Sequence, residues 1–236
     1  MTPFGGKLVL VTGATGPLGH AMVRTFLALG ARVAAAARRR TMLDDLRVAM
    51  GASDRLDTCE ADVGDPDLVD KLMSALERGT GPIHVVVQCV GAFASAPVTD
   101  TADETWRRIV SSNLDASFYV LRGALRRMVP RRAGHVILVS STGALRPRAG
   151  VAAYGAVKAA LLHLVAAAAL ETWGTGVTVN AVLPGAMDTP RNREAMPAVD
   201  PSRWAKPQDV AAAAAFLASE DAAGVNGAHV TIPDGT

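Results

Sequence analysis

The chain is short of cysteine, aromatic residues and lysine, and each shortage excludes something. Cys59 and Cys89 are the only cysteines in 236 residues, and both fall in apolar, strand-like runs. A disulfide framework is excluded, and a reducing, cytoplasmic setting is expected. Aromatic residues make up 4% of the sequence, and none interleaves with the scattered arginines as a stacking platform would. Nucleic acid is therefore not an expected partner. His20, His84, His135, His163 and His229 show no metal-ligand spacing, so no metal is expected. No apolar run is expected to reach the roughly eighteen residues of a membrane span. The first such run, Leu8–Val11, enters a Gly-rich turn rather than a cleavage site, so neither membrane nor signal peptide is expected. Lysine occurs four times against twenty arginines, within a formal charge of only +2.

What remains is half hydrophobic and dominated by alanine, a composition suited to close packing of helices on a sheet. Strand-like runs occur at Leu8–Val11, Arg32–Ala36, Leu56–Ala61, Ile83–Val90, His135–Ser140, Val177–Leu183 and Ala228–Ile232. Helical patterns lie between them, near residues 18–29, 66–78, 102–112, 115–129, 152–173 and 207–219. Such alternation predicts an α/β fold of the Rossmann type, a doubly wound, seven-stranded parallel sheet with helices on both faces. No linker or repeat interrupts it, so residues 1–236 read as one domain. The one long irregular stretch, Pro184 to about Lys206, is of a length usually reserved for function.

Three motifs carry chemistry. The first strand ends in Thr12-Gly13-Ala14-Thr15-Gly16-Pro17-Leu18-Gly19 and runs directly into a helix, a place where free N–H groups receive a pyrophosphate. The second strand ends at Ala37, where an NAD site usually carries an acid for the ribose hydroxyl. Arg38, Arg39 and Arg40 follow, which suits a 2′-phosphate, although a solvated basic loop would read the same way. The expected cofactor is NADP(H) in preference to NAD(H). Third, Tyr154 and Lys158 are four apart in a helical stretch and share one face, with Ser141 thirteen residues upstream. A nearby ammonium favours phenolate, so Lys158 is expected to lower the Tyr154 pKa.

Together these features resemble the short-chain dehydrogenases/reductases, along nearly the whole chain. The resemblance rests on Thr12–Gly19, Asp62-Val63, Gly91, Asn113 in Ser111-Ser112-Asn113-Leu114, Ser141, Tyr154-x-x-x-Lys158 and Pro184-Gly185-x-x-x-Thr189. It is nearest to compact members of the 3-oxoacyl-[acyl-carrier-protein] reductase kind. The resemblance implies that Tyr154 is the general acid, or the base in the reverse direction. It implies that Lys158 tunes Tyr154 and holds the nicotinamide ribose. Ser141 would bond the substrate oxygen, with Ser140 as an alternative, and Asn113 would hold a relay water. Gly13, Thr15, Gly16, Pro17, Leu18 and Gly19 would meet the phosphates, Arg38 and Arg39 the 2′-phosphate, and Asp62 and Val63 the adenine. Gly91, Pro184, Gly185, Met187 and Thr189 would line the nicotinamide side. On the residues alone, Asn113, Asp62 and Thr189 could equally be ordinary helix or turn residues.

The sequence departs from that family in three places. Pro17 occupies a usual glycine position, which helix geometry tolerates but which removes one N–H donor. Gln88-Cys89-Val90-Gly91 replaces the usual Asn-Asn-Ala-Gly, and Val90-Gly91-Ala92-Phe93-Ala94 faintly resembles dihydropteridine-reductase-type members. The segment after Thr189 is shorter than the substrate lid of many relatives. Arg146 and Arg148 should border the mouth, where they could attract an anionic substrate or stay solvated. Arg126, Arg127, Arg131 and Arg132 could form a docking patch for an acyl carrier protein. The resemblance implies a carbonyl or alcohol substrate, a 3-oxoacyl thioester among the candidates, and a homodimer or homotetramer. A catalytically idle NADP-binding sensor is the alternative, though its expected mark, a broken catalytic set, is absent.

Overall fold

The computed structural model describes residues 2–235. Its strands are β1 (Leu8–Thr12), β2 (Arg32–Ala37), β3 (Leu56–Glu60), β4 (Ile83–Gln88), β5 (Gly134–Val139), β6 (Val177–Pro184) and β7 (His229–Ile232). All pair in parallel in the order β3-β2-β1-β4-β5-β6-β7. Strand order reverses between β1 and β4, and a crevice opens there beyond the carboxyl ends of the strands.

The helices are α1 (Pro17–Ala28), α2 (Arg40–Ala49), α3 (Pro66–Gly79), α4 (Asp103–Val110), α5 (Ala116–Arg131), α6 (Ala152–Glu171), α7 (Pro190–Ala195) and α8 (Pro207–Leu217). Alternate residues of each strand feed opposite layers, because side chains alternate across a sheet. Val9, Val11, Val33 and Val85 meet α1, α2 and α8 on one face. Leu8, Leu10, Val86 and Val136 meet the helices of the other, α3, α5 and α6. Four consecutive alanines, Ala34 to Ala37, are buried and let helices approach β2 closely. Helix starts are locally encoded as well: Asp65 caps α3 by accepting from the Asp67 and Leu68 N–H groups, an interaction that contributes about 1 kcal/mol.

The predicted strands are recovered, and the structure adds three features. The basic run after β2 does not stay a loop: α2 starts at Arg40 because Leu43 and Leu46 fall on one buried face. The end strands are not continuously buried, since β3 is largely half-exposed and β7 alternates, as suits strands covered on one side only. The helix containing Tyr154 also corrects the expectation about apolar runs. By length and composition α6 could cross a membrane. Its hydropathy comes from alanine and leucine, and its buried face, with Val157, Lys158, Leu161 and Val165, packs beside the sheet.

The four-arginine patch is largely committed to the fold. Arg127 bonds Asp70 at 2.8 Å and Ser74 at 2.7 Å and pairs with Glu77 at 3.4 Å. Arg131 bonds Glu77 at 3.0 Å, and Arg132 donates to the Gly174 carbonyl at 2.6 Å. These contacts tie α5 to α3 and leave Arg126 without an ion pair among the described residues.

Candidate active site

The Gly-rich turn is shaped by contacts that forbid side chains. Gly13 has φ +64°, and a Cβ there would lie 3.0 Å from the Val90 nitrogen. At Gly19 a Cβ would collide with the Gly13 carbonyl and the Ala14 backbone. Val90 thus packs onto the turn itself. Gly16 caps α1 with no side-chain hydrogen bond and Pro17 opens the helix, which leaves the first-turn N–H groups of Leu18 and Gly19 for an anion. At the neighbouring strand end, the Arg38 guanidinium stands 4.0 Å from the Asp62 carboxylate, and both side chains are exposed. Arg39 caps α2 and is exposed. Asp62 accepts from the Gly64 N–H at 2.9 Å, and Val63 is buried beside it.

The inner end of the crevice is built differently. Lys158 is buried, and its Nζ donates to the Val139 carbonyl at 2.9 Å. Burial pulls its pKa down to about 8. The neighbouring serines divide two tasks. Ser140 donates to the Lys158 carbonyl at 2.8 Å and so locks α6 to β5. Ser141 accepts from the Gly143 N–H at 3.2 Å, and its hydroxyl lies near enough to the Tyr154 phenol to pull that group's pKa down. Ser140 is committed to the backbone, which leaves Ser141 as the serine beside the phenol.

Tyr154 differs from expectation in one respect. Burial raises its pKa, and only the neighbouring Ser141 hydroxyl works against that. The Lys158 Nζ lies over the tyrosine ring, 5.6 Å from its centroid, and donates elsewhere. In this arrangement the lysine has not lowered the phenol.

Asn113 sits in a π-turn, Ser111–Asp115, between α4 and α5. Its Nδ2 donates to the Ala92 carbonyl at 2.9 Å and the Ile109 carbonyl at 3.0 Å. Its Oδ1 is buried with no partner, and a Cβ on Gly91 would lie 2.6 Å from it and 3.4 Å from Lys158 Nζ. An orphaned acceptor is costly unless something occupies the space beside it. Glycine at 91 keeps that space open.

On the remaining wall, Thr189 caps α7, its Oγ1 accepting from the Asn192 N–H at 3.2 Å. Gly185 bonds the Ile232 carbonyl through its N–H at 2.9 Å, and Met187 bridges to Ala205 in parallel. The sequence reading missed two supports. Asp234 accepts from the Ala186 N–H at 2.7 Å and fixes the loop after Pro184. Gln88 accepts from the Thr12 hydroxyl and donates to Ser117 at 3.4 Å, and Ser117 donates to the Asn113 carbonyl. That chain links the Gly-rich turn to the π-turn, and only the odd Gln88 hinted at it. Among the described residues no cluster of three metal-ligating side chains occurs.

The arrangement suits a nicotinamide dinucleotide. Free helix N–H groups, a basic end of β2 whose last residue is Ala37 rather than an acid, and an orphaned Asn113 oxygen beside Lys158 lie at the carboxyl ends of the strands. Its inner end can hold an oxygen atom between two hydroxyls and move a proton to it.

Residues 7–200 match the family model described as short chain dehydrogenase. A 3-oxoacyl-[acyl-carrier-protein] reductase, MabA, of Mycobacterium tuberculosis is 31% identical over 241 residues, covering 99% of this chain and 94% of that protein. Meso-2,3-butanediol dehydrogenase of Serratia marcescens is 30% identical, covering 98% and 95%. Among solved structures, a short-chain type dehydrogenase/reductase from Mycobacterium ulcerans superimposes with a TM-score of 0.93 at 28% identity, covering 98% and 90%. An actinorhodin polyketide ketoreductase with NADPH gives 0.90 at 28% identity, covering 97% and 96%. The chain belongs to the short-chain dehydrogenase/reductase family and has that family's oxidoreductase fold.

Proposed function

We propose that this family member reduces a ketone to a secondary alcohol with NADPH, with Tyr154 as the acid. The carrying observation is the gathering of Lys158 Nζ and the orphaned Asn113 oxygen under Gly91, with that ammonium over the Tyr154 ring and Ser141 beside the phenol. The nicotinamide, when bound, supplies the hydride. Tyr154 gives its hydroxyl proton to the substrate oxygen, and Ser141 holds that oxygen through a second hydrogen bond. Because burial disfavours the phenolate, Tyr154 stays protonated in the free protein, the state that reduction requires. Lys158 holds the ribose hydroxyls, and the burial that lowers its pKa to about 8 eases release of a proton from it. The free Asn113 oxygen accepts a water that refills them.

Leu18 and Gly19 N–H groups, with Thr15 and Gly16, hold the pyrophosphate. Arg38 and Arg39 hold the 2′-phosphate, since Ala37 offers no carboxylate to repel it. Asp62 and Val63 border the adenine. Gly91, Pro184, Gly185, Met187 and Thr189 border the nicotinamide. A 3-oxoacyl thioester is the favoured substrate, supported by 3-oxoacyl-[acyl-carrier-protein] reductases matched over 98% and 94% of their lengths. Docking of an acyl carrier protein would fall to Arg126, Arg146 and Arg148, three exposed arginines that make no ion pair among the described residues. The exposed alanine face of α6 supports assembly as a homodimer or homotetramer, and a cytoplasmic setting fits the unpaired cysteines.

The test follows NADPH and NADH oxidation in parallel over 3-oxoacyl thioesters, simple ketones, aldehydes, quinones and a quinonoid pterin. Oxidation of NADPH by a ketone class, much faster than of NADH, is expected. Tight NADPH binding with no oxidation by any carbonyl would replace this reading with the idle NADP-binding module.

A further inference from the structure

Phe93 takes no part in the proton chemistry, yet it packs directly on the acid. Its ring meets Tyr154 edge to face, with centroids 5.0 Å apart and planes at 73°. About half of the residue, 49%, remains exposed. The segment that carries it is clamped at both ends. Asn113 holds the Ala92 carbonyl at 2.9 Å. On the other side, the Ser95 hydroxyl donates to the Gly150 carbonyl at 2.9 Å and the Ala96 N–H to the same oxygen at 2.7 Å. Gly150 lies just ahead of α6, the helix of Tyr154. The same elements thus anchor Phe93 and the acid, so its open side is a preformed surface. Cys89 to Pro97 contains no charged residue, and Leu145, in the loop after Ser141, is a second apolar side chain exposed by half.

We infer that Phe93 is a specificity-determining residue, whose open side receives the apolar substituent of the carbonyl compound. An oxygen held between Tyr154 and Ser141 brings its substituents against the ring that touches Tyr154. An aryl or long alkyl group covers that surface and releases its water, whereas a small hydroxylated group gives up its own hydration there. The enzyme therefore prefers aryl and long alkyl ketones to small polar ones. This rests on the reductase reading for its kinetics but not for its binding.

The test uses three ketones: acetophenone, butyl methyl ketone and hydroxyacetone. Affinity by calorimetry on protein saturated with NADP⁺, which cannot reduce the ketone, and kcat/KM with saturating NADPH are measured for wild type, Phe93→Ala, Phe93→Leu and Phe93→Trp. Phe93→Ala is expected to weaken acetophenone and butyl methyl ketone about tenfold and to leave hydroxyacetone within about twofold. Phe93→Leu should keep the alkyl ketone and lose the aryl preference, and Phe93→Trp should keep both. Unchanged NADPH affinity will show that each variant is folded. Equal losses for all three ketones would overturn the inference, because Phe93 would then act only by supporting Tyr154. If wild type binds the ketones in the expected order without oxidising NADPH, the reductase reading fails and the selectivity stands. If turnover is seen but Phe93→Ala keeps the wild-type preference, the selectivity fails alone.

Discussion

The two ends of the crevice are held by different physics. At the inner end Lys158, Asn113 and Ser140 are buried and bonded to backbone carbonyls of β5, the segment after β4, α4 and α6. At the outer end Arg38 and Asp62 are exposed side chains in a 4.0 Å contact at the edge of the sheet. Exposed pairs of that kind contribute about 0–1 kcal/mol, whereas a buried, unpartnered group costs more than that. On the proposed reading, the difference places the chemistry on groups that the fold fixes and the choice of cofactor on a few replaceable side chains.

The comparison breaks most visibly at Tyr154. Tyr154→Phe should lower kcat by roughly two to four powers of ten, with ketone reduction as the readout. Gly91→Ala tests how rigid the inner end is. Its methyl would stand 2.6 Å from Asn113 Oδ1, and Asn113 cannot swing aside without losing two backbone hydrogen bonds. A fall in kcat of about a hundredfold is expected, since small misplacements near reacting atoms cost that much. An active Gly91→Ala variant would mean that Asn113 is more mobile than its contacts indicate.

Lys158 gives a pH test with a defined sign. Its pKa is about 8 in the folded protein, against an ordinary value of 10.5. Between those values the unfolded chain binds more protons at this site, so the contribution of Lys158 to stability should rise with pH through that window and be lost as pH falls through about 8. The full swing is about 3 kcal/mol. Burial raises the pKa of the Cys59 and Cys89 thiols, whose slopes run the opposite way, so the Lys158 slope is read as the difference between wild-type and Lys158→Met urea titrations across the window. The smallest effect belongs to the outer end. Arg38→Ala should weaken NADPH about tenfold and leave NADH unchanged, as binding titrations with both cofactors will show.

The legibility of the sequence follows the same division. Strand runs such as Val85–Val87 and the glycines at 13 and 19 were readable, because burial and steric exclusion act on local patterns. The helix starting at Arg40 was hidden by three arginines, although Leu43 and Leu46 carried its periodicity. Contacts between distant segments were not readable. Asp234 on the Ala186 N–H, Gln88 between Thr12 and Ser117, and Phe93 on Tyr154 each join residues that no local pattern relates. The raised Tyr154 pKa was missed for the same reason. Spacing placed Lys158 on its helix face, but the Val139 carbonyl that draws the ammonium away belongs to β5.

The most direct test crosses the two ends. For wild type, Tyr154→Phe and Arg38→Ala, kcat at saturating NADPH and the NADPH dissociation constant are measured side by side. Tyr154→Phe should lose turnover with its NADPH affinity unchanged, and Arg38→Ala should lose affinity with kcat intact. A Tyr154→Phe variant that turns over like wild type, or an Arg38→Ala variant whose kcat falls as far as its affinity, would contradict the separation of chemistry from cofactor choice.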